Sequence, residues 1–300
     1  GDGPCGKTIQ PGTAGRTGYT LRVQTGCDET CSYCIIPSTR GVGRSVPLAH
    51  VLAELDEVAA AGFKEVSVTG VHLGSYGRDL GPGCTLQDLL RLFDTHRSTL
   101  YFRLSSLEPM DCGPDVVDLV ARSGRFAPHF HLPLQHASDR ILRAMRRPYT
   151  SEYYRRLVSG IRERLPHAGL GSDVIVGFPG ETDEDAATNL EYLGQSPLTY
   201  LHVFPYSERP GTDATRLSGK VPGPTIRARG REIRSVGAAL AASFRALQVG
   251  TVRPGLTIEG GTVVVTDNYL KVRVPAAVPE NERVQVRITA AGELITGMVV

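Results

Sequence analysis

The sequence predicts an α/β fold in which a partial, six-stranded (β/α) barrel of the TIM type is followed by a small antiparallel β-barrel. Six β-rich segments alternate with amphipathic helical segments between residues 20 and 204, which indicates a parallel sheet with right-handed crossovers. Six units are too few for a closed eight-stranded barrel, which typically takes about 250 residues, so an open barrel is expected. From residue 249 onward, short strands are separated by Gly, Asp-Asn and Pro, the pattern of a small β-barrel or sandwich.

The predicted strands of the first part are rich in β-branched and aromatic residues. They cover residues 20–25, 65–71, 101–105, 130–134, 171–176 and 200–204. Helical periodicity separates them, with Pro47 at one helix start and Gly62 after its end. The predicted helices cover residues 47–61, 86–96, 115–123, 138–145, 151–165 and 183–193. This alternation assigns residues 17–225 to the open barrel.

The flanking segments have different compositions. Residues 1–16 are rich in Gly, Pro and Thr, and we expect them to be the remnant of a linker from a missing N-terminal domain. An arginine- and alanine-rich stretch at 224–248 predicts a long helix, so residues 226–248 are assigned as a bridge and 249–300 as the small β-barrel. Residues 227–300 hold ten Lys and Arg against six Asp and Glu, a basic balance that suits contact with phosphate.

The bulk composition excludes some classes of protein. With 41% hydrophobic and 21% charged residues, the chain has the apolar content of a soluble globular protein with a large core. No apolar run approaches the ~20 residues that span a bilayer, so we expect neither a membrane protein nor a membrane partner. Six cysteines without a secretory leader are expected to be reduced, which indicates the cytoplasm.

Three of the six cysteines, Cys27, Cys31 and Cys34, form a C-x3-C-x2-C motif that follows the first predicted strand. Three thiolates are one short of the four ligands of a closed zinc site or an ordinary iron-sulfur cluster. An open coordination position on a metal is where a substrate or cofactor binds. The alternative is a zinc site completed by a histidine, but the nearest is His50 and no second C-x2-C pair is present. The other cysteines, Cys5, Cys84 and Cys112, are scattered.

Polar and glycine residues follow the other predicted strands, where a barrel of this type collects its chemistry. Thr69 and Gly70 end the second strand, and a glycine there lets the backbone approach a ligand closely. The third strand leads to Ser105 and Glu108, which could hydrogen-bond a ribose or an amino group. The other candidates are Gln135 after the fourth strand and Asp173, Gly177 and Gly180 on and after the fifth.

Each of these candidates has a structural alternative. Gly70 also suits a tight turn, and His129 and His131 near Gln135 also suit a hydrogen-bonded core. Glu181 and Thr182 beside Gly180 form a good helix N-terminus. Four basic residues are candidates for contact with phosphate, although most arginines simply lie at the surface: Arg40, Arg209, Lys271 and Arg273.

Taken together, these segments resemble the methylthiotransferases of the radical S-adenosylmethionine enzymes. The motifs that carry the resemblance span residues 16–216: VQTGCDETCSYCIIPSTRG, VTGVHLGSYGRDL, RLSSLEP, HLPLQHASDRILRAMRRPYT, DVIVGFPGET and FPYSERPGT. The resemblance implies a [4Fe-4S] cluster on Cys27, Cys31 and Cys34, with Tyr33 as the aromatic residue of the motif. It further implies that the open iron chelates S-adenosyl-L-methionine, whose reductive cleavage yields a 5′-deoxyadenosyl radical.

The same resemblance implies roles for the strand ends. The backbone at Thr69 and Gly70 is expected to face the methionine amino group, and the backbone around Gly177 and Gly180 is expected to pack on adenine. Radical S-adenosylmethionine enzymes need an electron donor, such as flavodoxin or ferredoxin. Full-length methylthiotransferases also carry an N-terminal domain with a second [4Fe-4S] cluster, thought to deliver sulfur, and no such cysteine triplet exists in this sequence. We therefore expect this chain alone to be incomplete for full turnover.

The motifs GVHLGSYGRDL and RLSSLEP look most like the branch that modifies N6-threonylcarbamoyladenosine at position 37, beside the anticodon of tRNA. The alternatives are the branch that acts on isopentenyladenosine in tRNA and the branch that acts on an aspartate of a ribosomal protein. The tail resembles the TRAM domain, which binds RNA, so the anticodon loop is the expected partner and DNA is not. A metal-bearing RNA-binding module without catalysis is the last alternative.

Overall fold

The computed structural model describes residues 10–12, 16–275 and 277–300, and its first part alternates strands and helices. In chain order these are β1 (Tyr19–Arg22), β2 (Gln24–Thr25), α1 (Ile36–Arg40), β3 (Arg44–Ser45), α2 (Leu48–Ala60), β4 (Glu65–Thr69), α3 (Leu86–Thr95), β5 (Tyr101–Leu104), α4 (Pro114–Arg122), β6 (His129–His131), α5 (Asp139–Ala144), α6 (Ser151–Arg164), β7 (Gly169–Val176), α7 (Asp183–Gly194), β8 (Tyr200–Pro205) and α8 (Gly223–Leu247). Cys5 and most of the predicted linker lie outside the described residues.

Six of these strands run parallel and form the open barrel. β1, β4 and β5 pair in that order, and β6, β7 and β8 form a second parallel group. The two groups meet through isolated bridges, Phe102 with Phe126 and Ser106 with His131. The α/β partial barrel predicted from the sequence is therefore confirmed.

Two local features depart from the predicted strands. The segment predicted as one strand over 20–25 is two, because β2 leaves the barrel and pairs antiparallel with β3. The strand predicted over 130–134 ends at His131, because Pro133 has no N–H to donate to the sheet. The Leu134 N–H then bonds to the Ser172 side chain instead of the backbone, at 3.0 Å.

The helices cover the outside of the barrel with apolar faces. In α2 the buried residues are Val51, Leu55 and Val58, whose spacing of four and three places them on one side of the helix. They belong to the same core as Val66 and Val68 of β4. Burial of each such side chain contributes about 1.5–3 kcal/mol. No helix in the described part of the chain is both long and apolar enough to cross a membrane.

The C-terminal part is a closed five-stranded barrel. Its strands are β9 (Val252–Ile258), β10 (Val263–Thr266), β11 (Lys271–Arg273), β12 (Arg283–Ala291) and β13 (Ile295–Val299), closed in the order β10-β11-β13-β12-β9. All pairs are antiparallel except β11 with β13. Its small core includes Val264, Val272, Val286 and Ile288. The predicted small antiparallel β-barrel is thus confirmed, with one parallel pair added.

The C-terminal barrel contacts the open barrel through the turn between β10 and β11. Arg103 of β5 is buried and donates to Glu65 at 3.0 Å, and to the carbonyl oxygens of Asp267 at 2.9 Å and Thr266 at 3.1 Å. Asn268 donates to the carbonyl of His167, at 3.0 Å. Since Glu65 begins β4 and His167 precedes β7, the C-terminal barrel lies at the amino-terminal rim of the strands.

The opposite, carboxyl-terminal rim is fixed by a buried polar network after β7. The Glu181 carboxylate accepts the N–H groups of Gly177 and Phe178, and pairs with the Arg229 guanidinium of α8 at 3.0 Å. Fully buried His136 lies beside it and accepts the Ser138 N–H at Nδ1, at 2.9 Å. The nearest Glu181 oxygen is 3.9 Å from His136 Nε2, too far for a hydrogen bond. Burial therefore lowers the pKa of His136 to about 4.

Replacing Arg103 with methionine is expected to lower the free energy of unfolding by about 3–5 kcal/mol, because Glu65 would keep a buried, unpaired charge. Chemical denaturation followed by circular dichroism measures this loss. The matched control is Arg97→Met, since exposed Arg97 pairs with Asp56 at the surface, where such a pair contributes under about 1 kcal/mol. An equally small effect for both variants would contradict the proposed role of Arg103.

The lowered pKa of His136 predicts a pH-dependent stability. The imidazole stays neutral in the folded chain down to about pH 4 but is protonated near its ordinary value of 6.5 when unfolded. Stability is therefore lost as pH falls from 6.5 to 4, by about 3 kcal/mol for this group. His136→Asn keeps an acceptor for Ser138 and should flatten that part of the curve of unfolding free energy against pH. His50→Asn, at an exposed position of α2, should leave the parent's pH dependence unchanged. If the curve of His136→Asn instead matched that of the parent, His136 would not be the group that causes the loss of stability.

Candidate active site

The cysteine loop connects β2 to α1 at the carboxyl-terminal rim of the open barrel. The β2–β3 pair closes its base, and the Cys27 N–H donates to the Gly41 carbonyl at 3.1 Å. Gly26 has a positive φ of 71°, and a Cβ there would lie 2.0 Å from the Val42 carbonyl oxygen. Only glycine fits this position, so the loop requires Gly26 directly before Cys27. The three thiols are half-buried.

The spacing of the thiols bears on the metal they could hold. Among the described residues, the one group of three potential ligands whose atoms all lie within 4.8 Å of one another is His131, Asp173 and His202, so at least one of the three separations between the cysteine sulfurs exceeds 4.8 Å. Sulfurs around a single zinc lie about 3.8 Å apart, given Zn–S bonds of about 2.3 Å. The wider spacing fits a cluster, in which each sulfur binds a different iron.

Burial raises the pKa of the thiols of Cys31 and Cys34, and the guanidinium of Arg147 opposes this rise. Arg147 Nη1 lies 3.1 Å from Cys31 Sγ, and the same guanidinium pairs with Glu108 and donates to the Tyr149 hydroxyl. Because metals bind the thiolate, a nearby cation suits a metal-binding cysteine. The structure thus joins the predicted residue Glu108 to the cysteine loop through Arg147.

The sequence did not predict Arg147 as a site residue, nor His72. His72 Nδ1 lies 3.8 Å from Cys27 Sγ, and its Nε2 lies 2.8 Å from Asp111. Arg147 lies within a motif used for the resemblance, RRPYT, but it is 116 residues from Cys31 and no local pattern shows where its side chain points. Such contacts follow from the tertiary fold alone.

Thr69 and Gly70 lie beside the base of the cysteine loop. The Thr69 carbonyl accepts the Val23 N–H at 2.9 Å, and a Cβ on Gly70 would lie 3.1 Å from the Gln24 side chain. Gln24 in turn donates to the carbonyls of Thr25 and Gly26. The absence of a side chain at Gly70 therefore leaves room for Gln24, which holds the base of the cysteine loop, and it also leaves room for a ligand.

Gln135, Gly177 and Gly180 have positive φ angles of 69°, 78° and 83°. The Gln135 N–H donates to the Asp173 carbonyl, at 2.9 Å, so its backbone is tied to β7. A Cβ on Gly177 would lie 2.4 Å from Ile226 of α8. The Gly180 N–H donates to the Gly219 carbonyl, at 2.8 Å. The alternative of a helix start is present too, as Thr182 and Asp185 form a capping box at α7.

An aromatic cluster connects this segment to the cysteine loop. Tyr33 and Tyr206 both meet Phe178 edge to face, with ring centroids 6.5 Å and 5.5 Å apart. Burial raises the pKa of Tyr33, so its hydroxyl stays protonated. The Tyr206 hydroxyl is buried without a hydrogen-bond partner. The structure therefore places Tyr33 and the Gly177–Gly180 segment at one apolar wall of the rim.

A cavity of about 340 Å³, the lumen pocket, lies inside the open barrel. Asp173 accepts from His131 Nε2 at 2.9 Å and from His202 Nδ1 at 3.1 Å, and Tyr200 bonds to the other nitrogen of His131 at 3.1 Å. The buried Ser105 hydroxyl also lines the pocket and has no hydrogen-bond partner. The structure thus brings Ser105 and Asp173 together beside His131, which the sequence left open as a core residue, and His202, which the sequence did not single out.

The four basic candidates do not form one surface. Arg40 ends α1 close to the cysteine loop, and Arg209 is exposed in the segment after β8. Lys271 and Arg273 are exposed on either side of buried Val272, on the C-terminal barrel. Lys271 pairs with Glu259 at 3.1 Å. These residues therefore flank the two rims of the open barrel.

Comparison with known proteins gives several related sequences. Threonylcarbamoyladenosine tRNA methylthiotransferase MtaB of Aquifex aeolicus is 38% identical over 84% of this chain and 61% of its own length. The tRNA-2-methylthio-N(6)-dimethylallyladenosine synthase of Symbiobacterium thermophilum is 35% identical over 91% of this chain and 61% of its own. Ribosomal protein uS12 methylthiotransferase RimO of Acidothermus cellulolyticus is 40% identical over 72% and 46%. The chain thus spans about three fifths or less of these relatives.

A solved structure supports the fold. The radical S-adenosylmethionine methyltransferase TsrM of Kitasatospora setae matches with a TM-score of 0.55 and 21% identity, over 65% of this chain and 35% of its own. The sequence pattern of the Radical SAM superfamily matches residues 21–193, which include the second half of β1, the cysteine loop and all of β2 through β7. On this match, the chain belongs to the radical SAM superfamily.

Proposed function

We propose that this chain is the catalytic part of a tRNA methylthiotransferase that adds a 2-methylthio group to N6-threonylcarbamoyladenosine at position 37. The three-cysteine loop at the carboxyl-terminal rim carries the proposal, because its three free thiols can bind three of the four irons of a [4Fe-4S] cluster and leave the fourth open to a cofactor. The reaction class is supported by the family membership of the chain and by its relatives, two of which are named methylthiotransferases and one a synthase of a 2-methylthio nucleoside in tRNA. The relatives act on three different substrates by name, so the choice of substrate depends on the pocket.

The lining of the lumen pocket favours the threonylcarbamoyl substituent over an isopentenyl group. Threonylcarbamoyl carries a ureido group, a hydroxyl and a carboxylate, whereas isopentenyl is a hydrocarbon. Ser105, His131, Asp173, Tyr200 and His202 present donors and acceptors to the pocket. His131, Asp173, Tyr200 and His202 already hydrogen-bond to one another, so a hydrocarbon would leave the Ser105 hydroxyl as the unpaired group among these five, at a cost of about 1–3 kcal/mol.

The proposed roles of the rim residues follow from their positions. Bound at Cys27, Cys31 and Cys34, a [4Fe-4S] cluster supplies the electron that cleaves S-adenosyl-L-methionine. The Arg147 guanidinium holds Glu108 beside Cys31, where this carboxylate could accept a hydrogen bond from the cofactor's amino group. Thr69 and Gly70 border the loop, and the cluster of Tyr33, Phe178 and Tyr206 offers an apolar surface for adenine that excludes water.

Ser105 and Asp173 connect the cofactor to the target base in this proposal. Both line the lumen pocket together with His131, His202 and Tyr200, where we place the substituent. Ser105 directly follows β5, and the chain from there leads to Glu108 at the rim where we place the cofactor. The proximity and orientation that this enclosure supplies are the protein's main contribution to such a reaction. We assign the sulfur source, and with it the second [4Fe-4S] cluster, to a part of the relatives that this chain does not span.

The proposed partners are the anticodon loop of tRNA and a one-electron donor such as flavodoxin or ferredoxin. An unpaired loop base can be turned out of its stack at low cost, which a barrel-enclosed site requires. Arg40, Arg209, Lys271 and Arg273 are exposed and are proposed to contact its phosphates.

Replacing Cys27, Cys31 or Cys34 with alanine is expected to reduce iron from about four per chain to near zero after anaerobic reconstitution, because two thiolates cannot hold the cluster. Iron analysis and the brown absorbance measure this. Cys84→Ala and Cys112→Ala are matched controls outside the loop and should keep full iron. One colourless zinc per parent chain would instead indicate a non-catalytic metal-bearing module.

The reconstituted and reduced chain is expected to convert S-adenosyl-L-methionine to 5′-deoxyadenosine and methionine, but not to form a methylthiolated product alone. Chromatography with mass spectrometry measures both products. Absence of 5′-deoxyadenosine, or a methylthiolated product from this chain alone, would contradict the proposal.

The substrate is tested with the full-length protein, given tRNA with threonylcarbamoyladenosine, tRNA with isopentenyladenosine, or the ribosomal protein in separate reactions. We expect at least about fivefold preference for the first, because the second would leave the Ser105 hydroxyl unpaired, which costs about 1–3 kcal/mol. A preference for either alternative would replace the proposed substrate.

A further inference from the structure

A second cavity, the side pocket, adjoins the lumen pocket, and no ligand has been assigned to it so far, although Tyr200, His202 and Lys271 of its lining already have proposed roles. It has a volume of about 360 Å³ and lies between the start of β8, the end of α8 and the C-terminal barrel. Tyr200, His202 and Tyr269 line both cavities, so these three rings form the partition between them. The two cavities are of nearly equal volume and are lined by residues from both barrels.

The partition is part of a continuous series of aromatic rings. Tyr269 stacks on His129 with centroids 4.6 Å apart, and Tyr200 lies 5.3 Å from His202. His202 in turn meets Phe204 at 6.4 Å. Residues 200, 202 and 204 alternate along β8 and therefore face the same side of the strand. Such a series of rings suits successive unpaired bases, since every base has a face that stacks on an aromatic ring.

Tyr269 is the unusual member of the series. It is 54% exposed although its ring lies against His129, and its φ of 73° is one that a tyrosine rarely adopts. The turn that carries it is fixed by Arg103, whose guanidinium carbon lies 5.2 Å from the ring centroid. The turn is closed by the Tyr269 N–H, which donates to the Thr266 carbonyl at 3.0 Å, so it presents an exposed aromatic ring in a fixed position beside a cavity, where a base can stack on it.

The remaining lining of the side pocket suits a nucleotide. Arg245 and Lys271 both line it, and the Nε of Arg245 is buried without a hydrogen-bond partner. The Lys271 ammonium is exposed, and its pair with Glu259 is a surface contact that contributes little. Glu293 also lines the pocket, while Phe244 and Leu270 supply apolar surface. A base against the rings and a phosphate near Arg245 and Lys271 would use both kinds of lining.

We infer that the side pocket binds the unpaired RNA nucleotide next to the target adenosine, whose base stacks on Tyr269 while the target base lies in the lumen pocket. This inference rests on the proposed RNA substrate. It gives the C-terminal barrel a role beyond attraction of phosphate, because its Tyr269 contributes a wall to both cavities. The two bases would be separated by the partition, which holds the loop in its unstacked form.

The test uses the 300-residue chain and synthetic anticodon stem-loop hairpins with 2-aminopurine at one or the other neighbour of the target adenosine. Stacking quenches 2-aminopurine, so we expect quenching at one of these positions. Tyr269→Ala should abolish it and weaken hairpin binding between about fivefold and a hundredfold, the range for loss of one base–aromatic stack. Tyr269→Phe keeps the ring and should retain both effects. Tyr153→Ala removes a tyrosine of α6 outside both cavities and should bind as the parent does.

Three results separate the inference from the proposed function. Tyr269-dependent quenching and binding, with an unchanged melting temperature of the variant, support the side pocket. A parent chain that prefers the hairpin to a duplex of equal charge, but whose Tyr269→Ala variant binds and quenches equally, overturns the side pocket and leaves the proposed function standing. A parent chain without preference for the hairpin overturns the RNA substrate, and both proposals with it.

Discussion

The parallel order of the six strands is the constraint on which the site depends. Parallel strands place all their carboxyl ends at one rim, so loops far apart in sequence meet there. The cysteine loop follows β2, Glu108 follows β5, Gln135 follows β6 and Gly177 follows β7. The C-terminal barrel lies at the opposite rim, where Arg103 fixes the turn between β10 and β11. The lumen pocket lies inside the open barrel and has Tyr269 of the C-terminal barrel in its lining.

Within that frame, the cysteine loop depends on local backbone geometry more than on side-chain packing. The β2–β3 pair fixes both ends of the loop, and Gly26 allows the backbone to pass within van der Waals contact of Val42. The thiols are then presented with at least one separation wider than a single zinc requires. A loop closed at its base can hold three ligands and still leave its open side to a cofactor, which is what distinguishes such a site from a four-ligand structural site.

The sequence was sufficient for the parts of this structure that are encoded locally. The alternation of strands and helices predicted the open barrel, and the three cysteines lie within eight residues of one another, so their loop could be identified as a site. What it could not give are pairings set by the fold: β2 with β3, Arg147 with Cys31, and Arg103 with the turn at residues 266–267. The fourth strand was predicted too long, although the loss of an N–H at Pro133 could have been used to end it. The histidines of the lumen pocket were ambiguous because burial and ligand binding favour the same residue type.

The position of Tyr269 follows from the same buried ion pair that docks the C-terminal barrel. Arg103 binds Glu65 on one side and the carbonyl groups of the turn on the other, and it also lines the lumen pocket. Moving the turn would leave this guanidinium with a buried charge and fewer acceptors, which is costly in a low-dielectric environment. The ring of Tyr269 is therefore held in place before any ligand arrives. A side chain fixed in advance loses little conformational entropy on binding, so a single exposed ring at this position can contribute most of its stacking energy to recognition.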